Sequence, residues 1–268
     1  MIGQLTIGAA VNDDAVLTQN LLASPVVREG GAEVILQRGF PSAAQAYNDA
    51  LDRARHDVVV LPHQDVYLPR GWEDRLTHAI NAIGPENWGV LGVFGVDEGG
   101  ERRGRCWSTG LGRDLDFRVN APTPAVSFDE LVLIVRKSSG VRFDERVPGF
   151  HFYGTDVTLR ARAAGVGTFI IDAPVIHNSV PVRSLGGSYA VGYRAMRRLW
   201  KDRLPLRTCV VPVTRLGVPF WRARWRYAMK ALRHGAARGD ARHPDPAALA
   251  RDLGYDRAER PHAAGVSA

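Results

Sequence analysis

Four short apolar runs, each separated from the next by a helix-like stretch, constrain this chain more than any other feature. LTIGAAV (5–11) and AEVILQ (32–37) read as buried strands. HDVVVLP (56–62) is the clearest strand, and 88–96 is a glycine-punctuated fourth. Residues 15–22 carry leucines at helical spacing, and Ser24-Pro25 closes that helix. Ser42 is an N-cap for a second helix to about Arg55, and Trp72 opens a third through about Ile83. Strands alternating with helices predict a parallel sheet with crossover helices. Such sheets hold ligands in the crevice outside the carboxyl ends of their strands. Asn12-Asp13 and His63-Gln64-Asp65 both fall at those ends.

Beyond this core the pattern loosens. Residues 97–116 are rich in Gly and Arg and read as a loop or irregular hairpin. FDELVLIV belongs to a strong strand over 125–135, and Phe143-Asp144-Glu145 lies in a loop. A helix starts near Asp156 and ends at Gly165, a favourable C-cap. TFIID (168–172) is a further strand, VIHNS (175–179) comes after a proline turn, and helical spacing resumes over 185–201. The chain after about Gly235 is rich in Ala, Arg, Pro and His and reads as a flexible tail.

Composition narrows the class. The chain has 268 residues, 45% hydrophobic and 24% charged, which suits one large α/β domain. It lacks an apolar run of about 20 residues, so no membrane span is expected. The N-terminus lacks the basic start of a signal peptide. Cys106 and Cys209 are the two cysteines, with neither metal-type spacing nor the makings of a disulfide framework. These features lead us to expect a cytoplasmic protein. The net charge of +7 is unevenly spread: residues 181–239 hold fourteen Lys and Arg against one acid, Asp202. The partner signal therefore sits in the C-terminal third, and the chemistry in the first two thirds.

Three segments carry that chemistry. Asp65, delivered by a buried strand to the sheet edge, is a hard oxygen ligand suited to Mn²⁺ or Mg²⁺ on a diphosphate. A departing diphosphate gains negative charge, which a divalent ion stabilises; the same Asp also suits a turn cap. His177 in VIHNS suits a further metal ligand, or a buried histidine bonded to backbone. Asp156 suits a general base for an acceptor hydroxyl, or a helix cap. His151 reads either as a lining residue of the same pocket or as a surface residue.

Taken in order, strand–Asn-Asp, AYNDAL, VVVLPHQDVYLP, FDELVLIVRK, FDE, GFHFYGTDVTLRARAAG and IIDAPVIHNS resemble a family-2-like GT-A glycosyltransferase. The closest resemblance is to the subgroup with His-Gln-Asp in place of Asp-x-Asp. It covers about residues 3–210. The resemblance implies a mixed, mainly parallel α/β sheet flanked by helices, a UDP-, GDP- or dTDP-linked sugar donor, a Mn²⁺ or Mg²⁺ ion and inversion at the anomeric carbon. By position, Asp65 is the metal–diphosphate carboxylate flanked by His63 and Gln64. Asn12 and Asp13 lie near the nucleoside, Asn48 beside the donor, Asp156 at the base position, and His177 at a further metal ligand. Two departures stand out. His63 replaces an aspartate and removes a negative charge from the metal site, and Thr155 leaves Asp156 as the only local carboxylate.

The expected organisation is a catalytic domain over 1–210, a basic aromatic helical extension over 211–240 and a flexible tail over 241–268. In the extension, Trp221, Trp225, Ala228 and Leu232 share one helical face among cations. This segment suits packing on the catalytic domain, peripheral contact with the inner face of an anionic membrane, or a polyanionic partner. Nucleic acid fits least, because no recognition motif accompanies the charge. Arg194, Arg197 and Arg198, close after His177, are expected to approach the donor diphosphate. The acceptor, whether carbohydrate, lipid-linked or small molecule, is not legible. Two other readings stand beside the transferase: a non-catalytic nucleotide- or carbohydrate-binding relative, and a sugar nucleotidyltransferase. The latter needs a glycine-rich basic loop after the first strand, where this chain has AAVNDDAV.

Overall fold

The computed structural model describes residues 5–234 and 242–256. Among these residues are the strands β1 (Thr6–Val11), β2 (Glu33–Arg38), β3 (Val58–Pro62), β4 (Val66–Tyr67), β5 (Val90–Gly92), β6 (Phe94–Asp97), β7 (Arg102–Ser108), β8 (Arg113–Phe117), β9 (Thr123–Phe128), β10 (Val132–Arg136), β11 (Thr168–Ile170) and β12 (Val175–His177). The helices are α1 (Asp14–Gln19), α2 (Pro25–Arg28), α3 (Ala43–Arg53), α4 (Trp72–Ile83), α5 (Tyr153–Ala163), α6 (Gly187–Leu199), α7 (Val218–His234) and α8 (Pro246–Asp252).

The strands form one sheet in the order β2-β1-β3-β10-β5-β11-β9-β6-β7-β12-β4, with β8 pairing off β7. The architecture is the expected mixed α/β sheet flanked by helices. Its parallel character is narrower than expected. β2, β1 and β3 are parallel, but β10 enters antiparallel between β3 and β5, and β6, β7, β8 and β9 pair antiparallel. The expected fourth strand splits into β5 and β6, and the run from Ala125 to Val135 splits into β9 and β10 around Asp129-Glu130. That break matters, because it puts two acids in a bend beside the end of β3. Pro25 does not close a helix but starts α2, at the first-turn position where its missing N–H costs nothing.

The sheet is covered on both faces. Ser42 Oγ accepts the Gln45 amide at 3.3 Å and starts α3, which buries Ala43, Ala46, Tyr47, Ala50 and Leu51. Helix and sheet approach closely at Gly8, where a Cβ would come within 2.9 Å of the Ala50 Cβ. Trp72, buried at the start of α4, donates its indole N–H to the Ala173 carbonyl at 3.1 Å on the other side.

The C-terminal third is part of the same body. Leu206, Val213, Phe220 and Ala223 share an apolar cluster with Tyr189, Tyr193 and Met196 of α6, so packing runs across the expected division at 210/211. The expected flexible tail is corrected over 242–256. Asp245 caps α8 through the Ala248 amide at 2.8 Å, and Ala250 and Tyr255 are buried against Tyr67 and Ile176. Ala250 inside α8 and Tyr255 just beyond it, joined by the partly buried Ala247, Leu249 and Leu253, dock this short segment, and composition averaged over the tail hides them. The remainder of that expected tail, 241 and 257–268, lies outside the described residues. Among the described residues no helix is long and apolar enough to cross a membrane.

Candidate active site

The site is assembled by strand register. β12 pairs antiparallel with β4 so that His177 stands opposite Val66, and the Asn178 amide donates to the Asp65 carbonyl at 2.9 Å. This joins VIHNS to His-Gln-Asp. The His63 amide donates to the Leu131 carbonyl at 3.0 Å, extending the β3–β10 ladder by one residue. Residues 63–66 form a turn, closed by the Val66 amide donating to the His63 carbonyl at 3.1 Å, and this turn brings His63 and Asp65 together while Gln64 reaches to the end of β1. There its Oε1 accepts the Asn12 and Asp13 amides at 3.0 and 3.1 Å, and its Nε2 donates to Asn12 Oδ1 at 2.5 Å.

His63, Asp65 and His177 each offer a ligand atom, all within 4.8 Å of one another. His177 Nε2 lies 3.5 Å from Asp65 Oδ1. The Tyr153 hydroxyl donates to the Glu130 carbonyl at 3.0 Å and lies 2.9 Å from His63 Nε2. With its hydrogen committed, that hydroxyl accepts from His63 Nε2–H, which leaves the Nδ1 lone pair for a ligand role. Burial lowers the pKa of His63 and keeps it neutral, against the pull of Asp65. Burial works the same way on His177, but the Asp65 carboxylate outweighs it and raises the His177 pKa. Burial would push Asp65 up; His177 outweighs it and holds the carboxyl low and ionised. Two imidazoles and an ionised carboxylate fit a divalent transition ion.

A cation already touches this carboxylate. Arg242, from the C-terminal segment, donates to Asp65 Oδ2 at 2.9 Å and also to the Asn178 carbonyl. Asn178 is fully buried and clips the segment in place: its Oδ1 accepts the His243 amide at 2.7 Å and its Nδ2 donates to the His243 carbonyl at 3.0 Å. A guanidinium beside the ligand carboxylate opposes a second cation. Arg242→Gln is therefore expected to tighten Mn²⁺ binding in the absence of nucleotide by about tenfold. Titration followed by the electron paramagnetic resonance of free Mn²⁺ measures this; equal or weaker binding contradicts it.

Asn12, His63, Gln64 and Asp65 line one cleft of about 410 Å³, together with Gln37, Tyr47, Phe150 and His151. The structure thus brings five expected residues together: these four and His177 through the cluster. Three others stand apart. Asp13 caps α1, accepting the Ala15 and Val16 amides at 3.0 and 3.1 Å. Asn48 ties α3 to the 143–145 loop, exchanging hydrogen bonds with the Phe143 main chain at 3.0 Å each way. Asp156 lies one turn into α5, 1% exposed, with Oδ1 accepting the Trp200 indole N–H at 2.7 Å. Its Oδ2 is buried without a partner. Burial raises its pKa to about 6. Arg194, Arg197 and Arg198 do not reach this cleft; they line a separate basic cavity with Lys201 and Arg215. Sequence reasoning missed Glu130, whose carboxyl is pushed up to about 8 by burial and by Asp129. It also missed Arg242 and the clip at Asn178.

The chain matches no protein-family model. It is 31% identical over 139 residues to a Fuscovulum blasticum protein described as ATP synthase subunits region ORF 6, a match covering 49% of this chain and 55% of that one. The chain thus spans about half the length of this curated relative. GalNAc-T7, solved with UDP, GalNAc and Mn²⁺, aligns at 11% identity and a TM-score of 0.49 over 75% of this chain and 48% of its own. TarS of S. aureus, solved with UDP-GlcNAc, aligns at 10% identity and 0.46 over 76% and 67%. A Drosophila galactosyltransferase 7 mutant, in complex with manganese, UDP-Gal and xylobiose, aligns at 14% identity and 0.39 over 62% and 64%.

Proposed function

We propose that this protein is a metal-dependent, inverting glycosyltransferase using a UDP-, GDP- or dTDP-linked sugar. The observation that carries the proposal is the His63–Asp65–His177 cluster at one side of a cleft whose other side is the Gln64-braced Asn12 loop. The cleft has room for a nucleoside and its diphosphate. Asp65, His63 and His177 would hold the divalent ion, which neutralises charge on the leaving diphosphate. Gln64 positions Asn12 for the nucleoside. His63 is itself positioned through Tyr153 and the Glu130 carbonyl.

The resemblance assigns the acceptor proton to Asp156 in this proposal; the residue is 1% exposed and off the cleft lining, so the acceptor must uncover it. Two observations support the assignment: a pKa raised by burial to about 6, near working pH, and an Oδ2 with no partner. Trp200 orients the other oxygen.

The donor set also bears on the ion. Imidazole suits Mn²⁺ and later transition ions far better than Mg²⁺, which prefers an all-oxygen shell. Release of nucleoside diphosphate from a panel of nucleotide-sugars, with water or simple sugars as acceptor, tests the reading. Release with one donor family, stronger in Mn²⁺ than in Mg²⁺ and abolished by chelator, is expected. Release of pyrophosphate from a nucleoside triphosphate would instead favour a nucleotidyltransferase. Binding of a nucleoside diphosphate without turnover of any donor would favour a non-catalytic relative.

A further inference from the structure

Among its described side chains, residues 218–229, α7 packs through one face. Phe220 and Ala223 are buried, and the Phe220 ring stacks on Tyr193 at 4.3 Å and 15°. The opposite face holds Val218, Trp221, Arg222, Trp225 and Arg226, all exposed. Trp221 is 57% and Trp225 66% exposed, one turn apart, and Leu216 just before the helix is 79% exposed. Large apolar groups left in water side by side mark a contact surface. Leu232, expected on this face, has a side chain outside the described residues.

Beside this face lies a bowl of about 550 Å³ lined by five cations, Arg194, Arg197, Arg198, Lys201 and Arg215, with Leu204 and one acid, Asp202. Bowl and tryptophans are contiguous: a Cβ on Gly217 would lie 3.7 Å from both the Arg197 guanidinium and the Trp221 indole nitrogen. Among the described residues no salt bridge joins a carboxylate to these five cations.

We propose that the outer face of α7 and this bowl form a docking surface for a bilayer containing anionic phospholipid. The tryptophans, Leu216 and Val218 enter the headgroup region, and the bowl takes lipid phosphates. Three considerations choose this occupant. Indole rings flanked by Arg are the composition of an interfacial helix, apolar on one side and attracted to anionic headgroups by the rest. A second copy of the chain fits poorly, because it would set the five bowl cations with Arg222 and Arg226 against the same charges. Single-stranded nucleic acid would use the rings and the cations but gain little from Leu216 and Val218, which do not stack on bases. The surface also reaches the cleft: Phe220 stacks on Tyr189 at 6.4 Å, and Tyr189 meets the His151 ring of the cleft at 5.3 Å. A docked α7 thus holds the cleft near the lipid surface, independently of what the cleft catalyses.

The test is co-sedimentation of the full chain with phosphatidylcholine vesicles and with vesicles also containing phosphatidylglycerol. Binding to the anionic vesicles only, weakened by salt, is expected. The double substitution Trp221→Ser with Trp225→Ser should weaken it by about tenfold or more, and so should Arg197→Glu with Arg215→Glu. Thermal melts confirm that both variants fold, as expected for changes at the surface. Absence of binding, or equal binding by the tryptophan variant, would overturn the proposal. So would light scattering that shows a dimer converted to monomer by the tryptophan substitutions with lipid binding unchanged. Tighter binding to single-stranded RNA than to anionic vesicles, lost in the same variants, would also overturn it in favour of nucleic acid.

Discussion

Asp65→Asn is expected to abolish Mn²⁺-dependent binding of the nucleoside diphosphate, by about a hundredfold or more in affinity. Hydrogen-bond partners of metal ligands alone are worth about 10–100-fold, and a ligand carboxylate is worth at least as much. Asp65 is also the only carboxylate in the cluster, whose other members are His63 and His177. The substitution therefore removes the whole of the cluster's negative charge toward the ion. Asparagine keeps the shape and leaves an oxygen for Arg242, so folding should survive. Calorimetric titration with Mn²⁺ present separates the outcomes. Retained affinity would mean that the diphosphate is held without this cluster.

Asp156→Asn is expected to separate function from stability. Turnover should fall by about a hundredfold or more, the usual worth of a positioned general base, with donor affinity unchanged. Stability should rise instead. The carboxyl titrates near 6 in the folded chain against 3.8 as its ordinary value, so the folded state holds the proton more tightly. Its favourable contribution is complete below about 3.8 and is lost as pH rises through about 6; above that the native state carries a buried, ionised carboxylate. Asparagine cannot ionise. It still accepts the Trp200 indole N–H, but it leaves an amide N–H₂ without a partner, which offsets part of the gain. The net gain at pH 7.5 is about 1–2 kcal/mol, shrinking toward zero at pH 5. Melting curves at the two pH values read this directly. Unchanged turnover would pass the proton role to His151, the cleft-lining histidine outside the metal cluster.

Much of this site is legible in the sequence because strand ends announce themselves. VVVLP is apolar at every position, and the residues just after it must emerge at the sheet edge; His63 and Asp65 do. Their union with His177 depends on β4 pairing with β12, which are two and three residues long. Strands so short carry no periodicity, so only the resemblance links those segments. The same limit hides the antiparallel entry of β10, because a strand buried on both faces reads the same in either direction. The side chains of Asp13 and Asn48 have protein partners of different kinds. Asp13 caps α1 within three residues, while Asn48 bonds the Phe143 main chain 95 positions on, a pairing with no local signal in the sequence. Arg242 is not legible at all. It reaches Asp65 across 177 positions, held by Asn178, and nothing in the tail's composition distinguishes it.

The most direct measurement is the thermal stability of the wild-type chain with UDP, GDP, CDP and dTDP, each with Mn²⁺ and each with chelator. A ligand that binds only the folded state stabilises it by about 2.7 kcal/mol at a hundredfold excess over its dissociation constant. For a chain of this size that is a rise of several degrees. The account predicts such a rise with one diphosphate in Mn²⁺, its loss in chelator, and its loss in Asp65→Asn. Well-folded protein that melts at the same temperature under every condition would contradict it.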